Sequence, residues 1–545
     1  MNLRKFRGAL PLIMTVASAL AFASCIYNDE NLGESLVPDN QKYDIYTAEF
    51  PLENVKMEMA DSLSGYSDSR ISIGAIRDGD YGLTTRATAF SLVPVNDTLD
   101  FGKNAKFRRF HFSALADSVS VKDENQRYIL QNIYVYELQK ALDLDNYNIN
   151  GAASHNGELI TKGVPVYNGS SDSLSFDFSK AFGEKYMKIL NADLDSINHF
   201  TEKFPGIYIC TNDPVGEGGR LNFFELGLGY NSSYYYITSN YAELSFTADY
   251  GTRTAVDTSF LFYFGPTSRT NISKYISSSS TIPQYGYNMA GHETRSKVGD
   301  ATDKIFVEGG GGLKPVFSAK EIREKLRGEI SKHGNPDKAI INKATIKMTF
   351  EFPSDYTTMY EFPQVLSPTC RIKQSSGALA FASITDSSDS NEDEGDINRS
   401  LCDYAPDVSF HVQELIELPD TTSDYSDYDV WMLILAAVED DDSSSSSDYS
   451  SSYYNSYYNS LYNSSYYNGY GSGYGYSDYY GYNNYYNNYY NYYDYPSYYS
   501  SSSSTTSSVE LDKYRYYNCA LNGPKADSGK APKLVVTYAL PKSDK

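Results

Sequence analysis

Lys343-Ala344-Thr345-Ile346-Lys347-Met348-Thr349-Phe350 places an apolar side chain at every second position, Ala344, Ile346, Met348 and Phe350, against Lys343, Thr345, Lys347 and Thr349. Successive side chains of an extended chain point to opposite faces, so a period of two is the period of a strand. This stretch therefore reads as a strand with one face on a core and the other in water. The same grammar recurs upstream. Ile71 and Ile73 alternate with polar neighbours, Asp78-Gly79-Asp80 turns the chain, Phe110 and Phe112 flank His111, Val119 and Val121 flank Ser120, and Ile133 and Val135 continue the period. Leu244, Phe246 and Ala248 alternate against Ser245 and Thr247. Residues 431–438 are almost continuously apolar, as a central strand buried on both faces must be, and residues 534–538, announced by Pro532, read as a closing strand.

Helical spacing is the exception. Phe182, Tyr186, Ile189 and Leu190 suggest one helix. The clearer one has Ser318 as N-cap, Glu321 three residues on as a capping box, the stripe Ile322, Leu326 and Ile330, and Gly334 placed to end it. Both halves run strands, helix, strands. The expected fold class is therefore mainly β: two tandem antiparallel β-sandwich (jelly-roll-like) domains, residues 43–250 and 251–545, with a few short helices. Periodicity alone does not separate a sandwich from a barrel.

Residues 443–508 depart from this pattern. They are almost wholly Ser, Tyr, Asn and Gly, holding 23 of the 54 tyrosines, three aspartates and no Lys or Arg. With so few aliphatic side chains the segment cannot offset the entropy of ordering, and it reads as a disordered excursion from a strand-to-strand loop. Polar and aromatic residues mixed in this way favour self-association, which acidic residues 439–442 at its entry oppose.

The N-terminus gives an address. Arg4, Lys5 and Arg7 precede an apolar run from Ala9 to Phe22, then small Ala23 and Ser24, then Cys25. This is the three-part pattern of a cleaved export signal, residues 1–24. With Cys at the first mature position it resembles a bacterial lipobox, in which the thiol is acylated. Phe22 departs from the Leu usual three residues before the Cys. Asn28, Asp29 and Glu30 follow closely and resemble the signal by which some bacterial lipoproteins reach the cell exterior, with a solvated acidic tether as the other reading, and residues 25–42 are expected to form the lipidated, flexible spacer. Downstream, no apolar run approaches the roughly 20 residues a spanning helix needs.

The chain has 545 residues and a formal charge of −23, and removal of the three leader cations makes the mature protein −26. Such a charge repels nucleic acid and anionic membrane surfaces. Beyond Cys25, Cys210, Cys370, Cys402 and Cys519 show no CxxC pair and no His at ligand spacing, which disfavours structural zinc. A Cys370 to Cys402 bridge is one arrangement, and buried free thiols are the favoured one.

Cys25 with its acidic followers, Gly33 and Pro38; Ile73-Gly74-Ala75-Ile76 with Asp80-Tyr81-Gly82; Val135-Tyr136-Glu137-Leu138; Phe306-Val307-Glu308-Gly309-Gly310 before Gly312-Leu313; and Leu534-Val535-Val536-Thr537-Tyr538 together resemble the Bacteroidota lipoproteins of domain-of-unknown-function family 4270. The likeness covers nearly all of the mature chain except the Tyr-rich insertion. It implies an outer-membrane lipoprotein displayed at the cell surface, with the periplasmic face as the alternative. The family carries no assigned activity, so no functional residue transfers.

Motifs for chemistry are sparse. Gly309 to Lys314 lacks the spacing of a phosphate-cradling loop, because Pro315 follows Lys314, and a turn needing positive φ explains its glycines. Asp386, Asp389, Asn391, Asp393, Glu394 and Asp396 fail the EF-hand spacing and read as a solvated loop. The six histidines are scattered singly, outside any GxSxG or HExxH motif. Tyr234, Tyr235 and Tyr236 are a candidate aromatic binding surface, with an edge strand or long loop as the plainer reading. No catalytic residue, metal ligand or cofactor is assigned. The expected function is a non-catalytic binding or structural module held to the membrane by lipid, with a glycan, a matrix or an outer-membrane protein as partner. The rival is a surface hydrolase acting on glycan or peptide, with carboxylates or a Ser and His brought together by the fold.

Overall fold

The computed structural model describes residues 42–61, 63–67, 70–96, 98–142, 148–226, 229–231, 236–265, 284–373, 379–384, 395–439, 507–511, 516–527 and 529–542. Strands dominate, and every pairing between described strands is antiparallel. The opening stretch lies in the strand Ile340–Thr349, where Ala344, Ile346 and Met348 are fully buried and their neighbours are not.

The larger sheet runs from Val166–Tyr167 through Gln131–Leu138, Ile207–Thr211, Gly82–Phe90, Arg70–Asp78, Gly218–Glu225, Lys103–Val121, Tyr241–Tyr250 and Arg253–Phe264 to Leu92–Pro94. Only Ser91 separates Leu92–Pro94 from Gly82–Phe90, so the last strand in this path continues one in its middle. The sheet therefore curls back on itself around a core rich in phenylalanine, in which Phe90, Phe110, Phe112, Phe262 and Phe264 are buried together. Helices α1 (Lys180–Tyr186) and α2 (Ile197–Lys203) contribute Phe182, Tyr186, Ile197 and Phe200 to this core. Each is started by a serine, Ser179 or Ser196, whose hydroxyl accepts a first-turn N–H.

A second core lies between two other sheets. One orders Tyr43–Pro51, Lys533–Pro541, Ile340–Thr349 and Asp403–Tyr404; the other orders Gly299–Asp300, Val55–Met59, Leu313–Phe317, Val430–Glu439, Val365–Lys373 and Leu379–Ser383. Helices α3 (Ala319–Ile330) and α4 (Ser409–Glu417) cover it, α3 through Ile322, Leu326 and Ile330. Ser318 caps α3 as expected, but the Glu321 carboxylate leaves the box. It accepts the backbone N–H groups of Glu53 and Asn54, both at 2.8 Å, and so ties the helix start to the N-terminal strands.

The sheets cross the boundary expected at residues 250 and 251. Tyr43–Pro51 and Val55–Met59 pair with Lys533–Pro541 and Leu313–Phe317, whereas Arg253–Phe264 and Gly286–His292 belong to the larger sheet. Periodicity reports which face of a strand is buried and is silent about its neighbour. The central strand Val430–Glu439 shows why its apolar run is continuous. Val430, Met432 and Ile434 face the second core, while Trp431 and Leu433 face Ile76, Leu221 and Phe223 of the larger sheet.

Candidate functional site

Cys25, Asn28, Asp29, Glu30, Tyr234 and Tyr235 lie outside the described residues, as do residues 440–506, which hold all but the last two residues of the insertion expected at 443–508, and most of the acidic cluster. Tyr236 opens the strand Tyr236–Ser239, which pairs with Gly229–Asn231 in a separate two-stranded ribbon. Gly310 and Gly311 have φ of 61° and 83° and make the turn between Lys304–Glu308 and Leu313–Phe317, as the glycine reading expected. Cys210, Cys370, Cys402 and Cys519 are free thiols. Among the described residues no cluster of His, Cys, Asp or Glu could hold a metal ion, and no described helix is long and apolar enough to cross a membrane.

The fold does assemble a constellation that no motif announced. Ser173–Asp177 pairs with Lys103–Val121 so that Asp177 stands opposite His111 and Ser175 opposite Ser113. Phe110, Phe112, Leu174 and Phe176 take the core face, so His111, Ser175 and Asp177 share the outer one. His111 Nδ1 is 2.8 Å from Asp177 Oδ1, and His111 Nε2 is 3.1 Å from Ser175 Oγ. Hydroxyl, imidazole and carboxylate thus follow the order used by serine hydrolases. The sequence signal was the period of two on each strand; what it lacked was the register joining residues 64 and 66 apart.

Two features oppose a hydrolytic role. Arg109 Nε donates to Asp177 Oδ1 at 2.7 Å, and its Nη2 lies 2.8 Å from His111 Nδ1. A guanidinium carries only donors, so at this distance it competes with Asp177 for the ring nitrogen that the carboxylate would have to orient. Partial burial pushes the Asp177 carboxyl up, but hydrogen bonds from His111 and Arg109 outweigh it and hold the group below the usual carboxylate range. In addition, N–H groups of paired strands lie in the sheet plane while side chains stand perpendicular to it. No pair of N–H groups from these two strands is therefore aimed above Ser175 Oγ, where an oxyanion would form.

Two buried histidines are structural. His411 Nε2 lies 2.9 Å from the Tyr428 carbonyl oxygen and 3.9 Å from Cys370 Sγ. The carbonyl can only accept, so Nε2 carries a proton and has no lone pair with which to activate the thiol. Burial pushes the Cys370 thiol well up and His411 down to about 4. His292 meets Glu308 across the seam between the larger sheet and the second core, with Thr84 and Thr294 donating to the same carboxylate. Comparison with protein-family models, curated proteins and solved structures returns no match, so the reading of this chain rests on its own residues.

Proposed function

We propose that this chain is a non-catalytic lipoprotein, anchored through Cys25 in the outer membrane and displayed at the cell surface, whose β body binds a glycan, matrix or outer-membrane protein partner. The reading is carried by one observation. The Tyr-rich insertion leaves and re-enters the body at paired positions, Glu439 opposite Ser507, on a hairpin built on the central strand Val430–Glu439. A long Ser, Tyr and Asn segment with no cation is thus hung from one point of a folded scaffold, an arrangement suited to presentation rather than to turnover. The leader, the acidic residues after Cys25 and the resemblance to the family 4270 lipoproteins support the same address, and the charge of −23 opposes a nucleic-acid partner.

The hydrolase reading has one observation in its favour, the Ser175, His111 and Asp177 chain, and Arg109 and the flat sheet face count against it. Both readings meet in one experiment on the full-length protein in outer-membrane fractions. Cys25→Ala is expected to release the protein into the soluble fraction, and a fluorophosphonate probe is expected to leave Ser175 unlabelled. Retention of Cys25→Ala on salt-washed membranes would remove the anchor. Stoichiometric labelling that disappears in Ser175→Ala would establish the hydrolase instead.

A further inference from the structure

On the outer face of the larger sheet, Tyr134 and Tyr136 project from Gln131–Leu138, and Tyr208, directly opposite Tyr136, projects from Ile207–Thr211. Ile133, Val135, Ile207 and Ile209 take the core face of the same strands, which leaves the tyrosines partly exposed on the other, where Tyr208 packs at one side against the buried cluster of Leu138, Ala89 and Met289. The rings of Tyr134 and Tyr136 are 6.4 Å apart and 11° from parallel; those of Tyr136 and Tyr208 are 6.4 Å apart and 29° from parallel.

The imidazole of His155 reports how these rings lie. It is stacked on Tyr136 at 4.5 Å and 12°, and on Tyr208 at 4.7 Å and 19°. A ring intercalated between two others would hold them about 9 Å apart, twice the closest stacking distance. At 6.4 Å the two tyrosines instead lie side by side, and His155 rests across their seam. The strand His155–Leu159 brings it there through a bulge. Leu138 pairs with His155 and Tyr136 with Leu159, so residues 156–158 stand opposite Glu137 alone, with Gly157 at φ 77°. The three tyrosines form an aromatic tile, and the chain itself shows that a flat ring rests on it at van der Waals distance.

We infer that the tile of Tyr134, Tyr136 and Tyr208 is a binding platform for a neutral carbohydrate, with a pyranose ring stacking on the part that His155 leaves open. The inference rests on the binding-module reading and names the ligand class. The apolar C–H face of a sugar complements the negative face of a tyrosine ring, and the phenol supplies a hydrogen bond at its edge. Burial, and then the Cys210 thiol beside them, push the phenols of Tyr136 and Tyr208 up, so both stay neutral donors. Charge selects among glycans. The register places Asn132, Tyr134, Tyr136 and Leu138 of one strand, and Tyr208 and Cys210 of the next, on this face, and none of them is charged. Glu137 takes the opposite face, where Lys185 pairs with it. In a chain of formal charge −23, these residues offer no cation to an anionic polysaccharide and favour neutral chains.

The test is isothermal titration of the full-length protein, solubilised in detergent, with cellohexaose, maltohexaose, mannohexaose and chitohexaose. At least one is expected to bind. Tyr136→Ala and Tyr134→Leu should each weaken that binding by about tenfold or more, the loss typical of an aromatic anchor. His155→Ala should tighten it by baring more of the tile, a gain that a destabilised variant would not show. Binding that survives both tyrosine substitutions but is lost when residues 440–506 are removed would overturn the tile and keep the binding module. Binding of none of the four by native chain and His155→Ala alike would overturn the carbohydrate assignment. Hydrolysis of any of them would overturn the binding-module reading itself.

Discussion

His292 Nδ1 stands 2.8 Å from Glu308 Oε1 with both side chains out of water, and His292 Nε2 stands 3.0 Å from the Gly310 carbonyl oxygen. Both ring nitrogens face acceptors, so the imidazole carries both protons and a buried ion pair joins Gly286–His292 of the larger sheet to Lys304–Glu308. Burial alone pushes the Glu308 carboxyl up; the charge of His292 and hydrogen bonds from His292, Thr294 and Thr84 overcome it and hold the group down to about 2. Glu308→Gln strands a buried cation and should cost roughly 3–5 kcal/mol, whereas replacing both partners by leucine should recover much of the loss. Because the folded value lies below the unfolded one, the contribution of the Glu308 carboxylate is present above about pH 4.5 and fades as pH falls towards 2. Urea denaturation of the two variants at neutral pH checks the first expectation, and an equal loss in both would contradict it.

His411 and Glu414, one turn apart on α4, should tilt stability in opposite directions with pH. Burial lowers His411 from 6.5 to about 4, so the unfolded chain takes up that proton first and the contribution of His411 is lost as pH falls from 6.5 to 4. Burial, and then the charge of Glu417, raise Glu414 from 4.5 to about 7, so its contribution is present below 4.5 and lost as pH rises to 7. Between 4.5 and 6.5 the two slopes oppose each other. Glu414→Gln should unmask His411, and stability should then fall on acidification up to about 1.4 kcal/mol per pH unit more steeply than in the native chain. Parallel curves for the two proteins would show that the groups are not titrating as their burial requires.

Gly310 has φ of 61°, and a Cβ added to it would come within 1.6 Å of Arg86 Nη2. Arg86 is itself 2% exposed, so its guanidinium has no open space to move into. Gly310→Ala should lose about 1–3 kcal/mol from backbone strain alone, with the clash in addition. Gly216→Ala, where nothing lies within 4 Å, should be neutral in the same thermal melts.

What was legible in the residues was the burial of faces. Ala344, Ile346 and Met348, like Leu244, Phe246 and Ala248, declared their alternation, and all six are buried. Partners were not legible. Tyr43–Pro51 pairs with Lys533–Pro541 at the far end of the chain, and no local pattern specifies a neighbour that distant. The same blindness hid the site. His111, Ser175 and Asp177 each appear as a polar residue between apolar ones, and only the register of two strands brings them within hydrogen-bonding distance. Tyr134, Tyr136 and Tyr208 looked equally ordinary, because the tile exists only across a strand pair and under a bulge that carries His155 over it. Cys25 and Tyr234, which did stand out, fall where the structure describes nothing.

The Tyr-rich insertion gives the last expectation. The strands that carry it stay in register to its edge, Leu435 opposite Leu511 and Glu439 opposite Ser507. Replacing residues 440–506 with Asn-Gly therefore joins positions that are already paired, and Asn-Gly supplies the positive φ values that a two-residue hairpin turn demands. Shortening the loop also removes closure entropy, a gain of a few kcal/mol at most. If the insertion adds nothing to the core, the shortened chain should melt at the same temperature as the native one or slightly above it. A fall of more than about 5 °C, roughly 5 kcal/mol for a chain of this size, would mean that its tyrosines pack on the body. A site presented from one point would then have become part of the scaffold, and the presentation reading would fail with it.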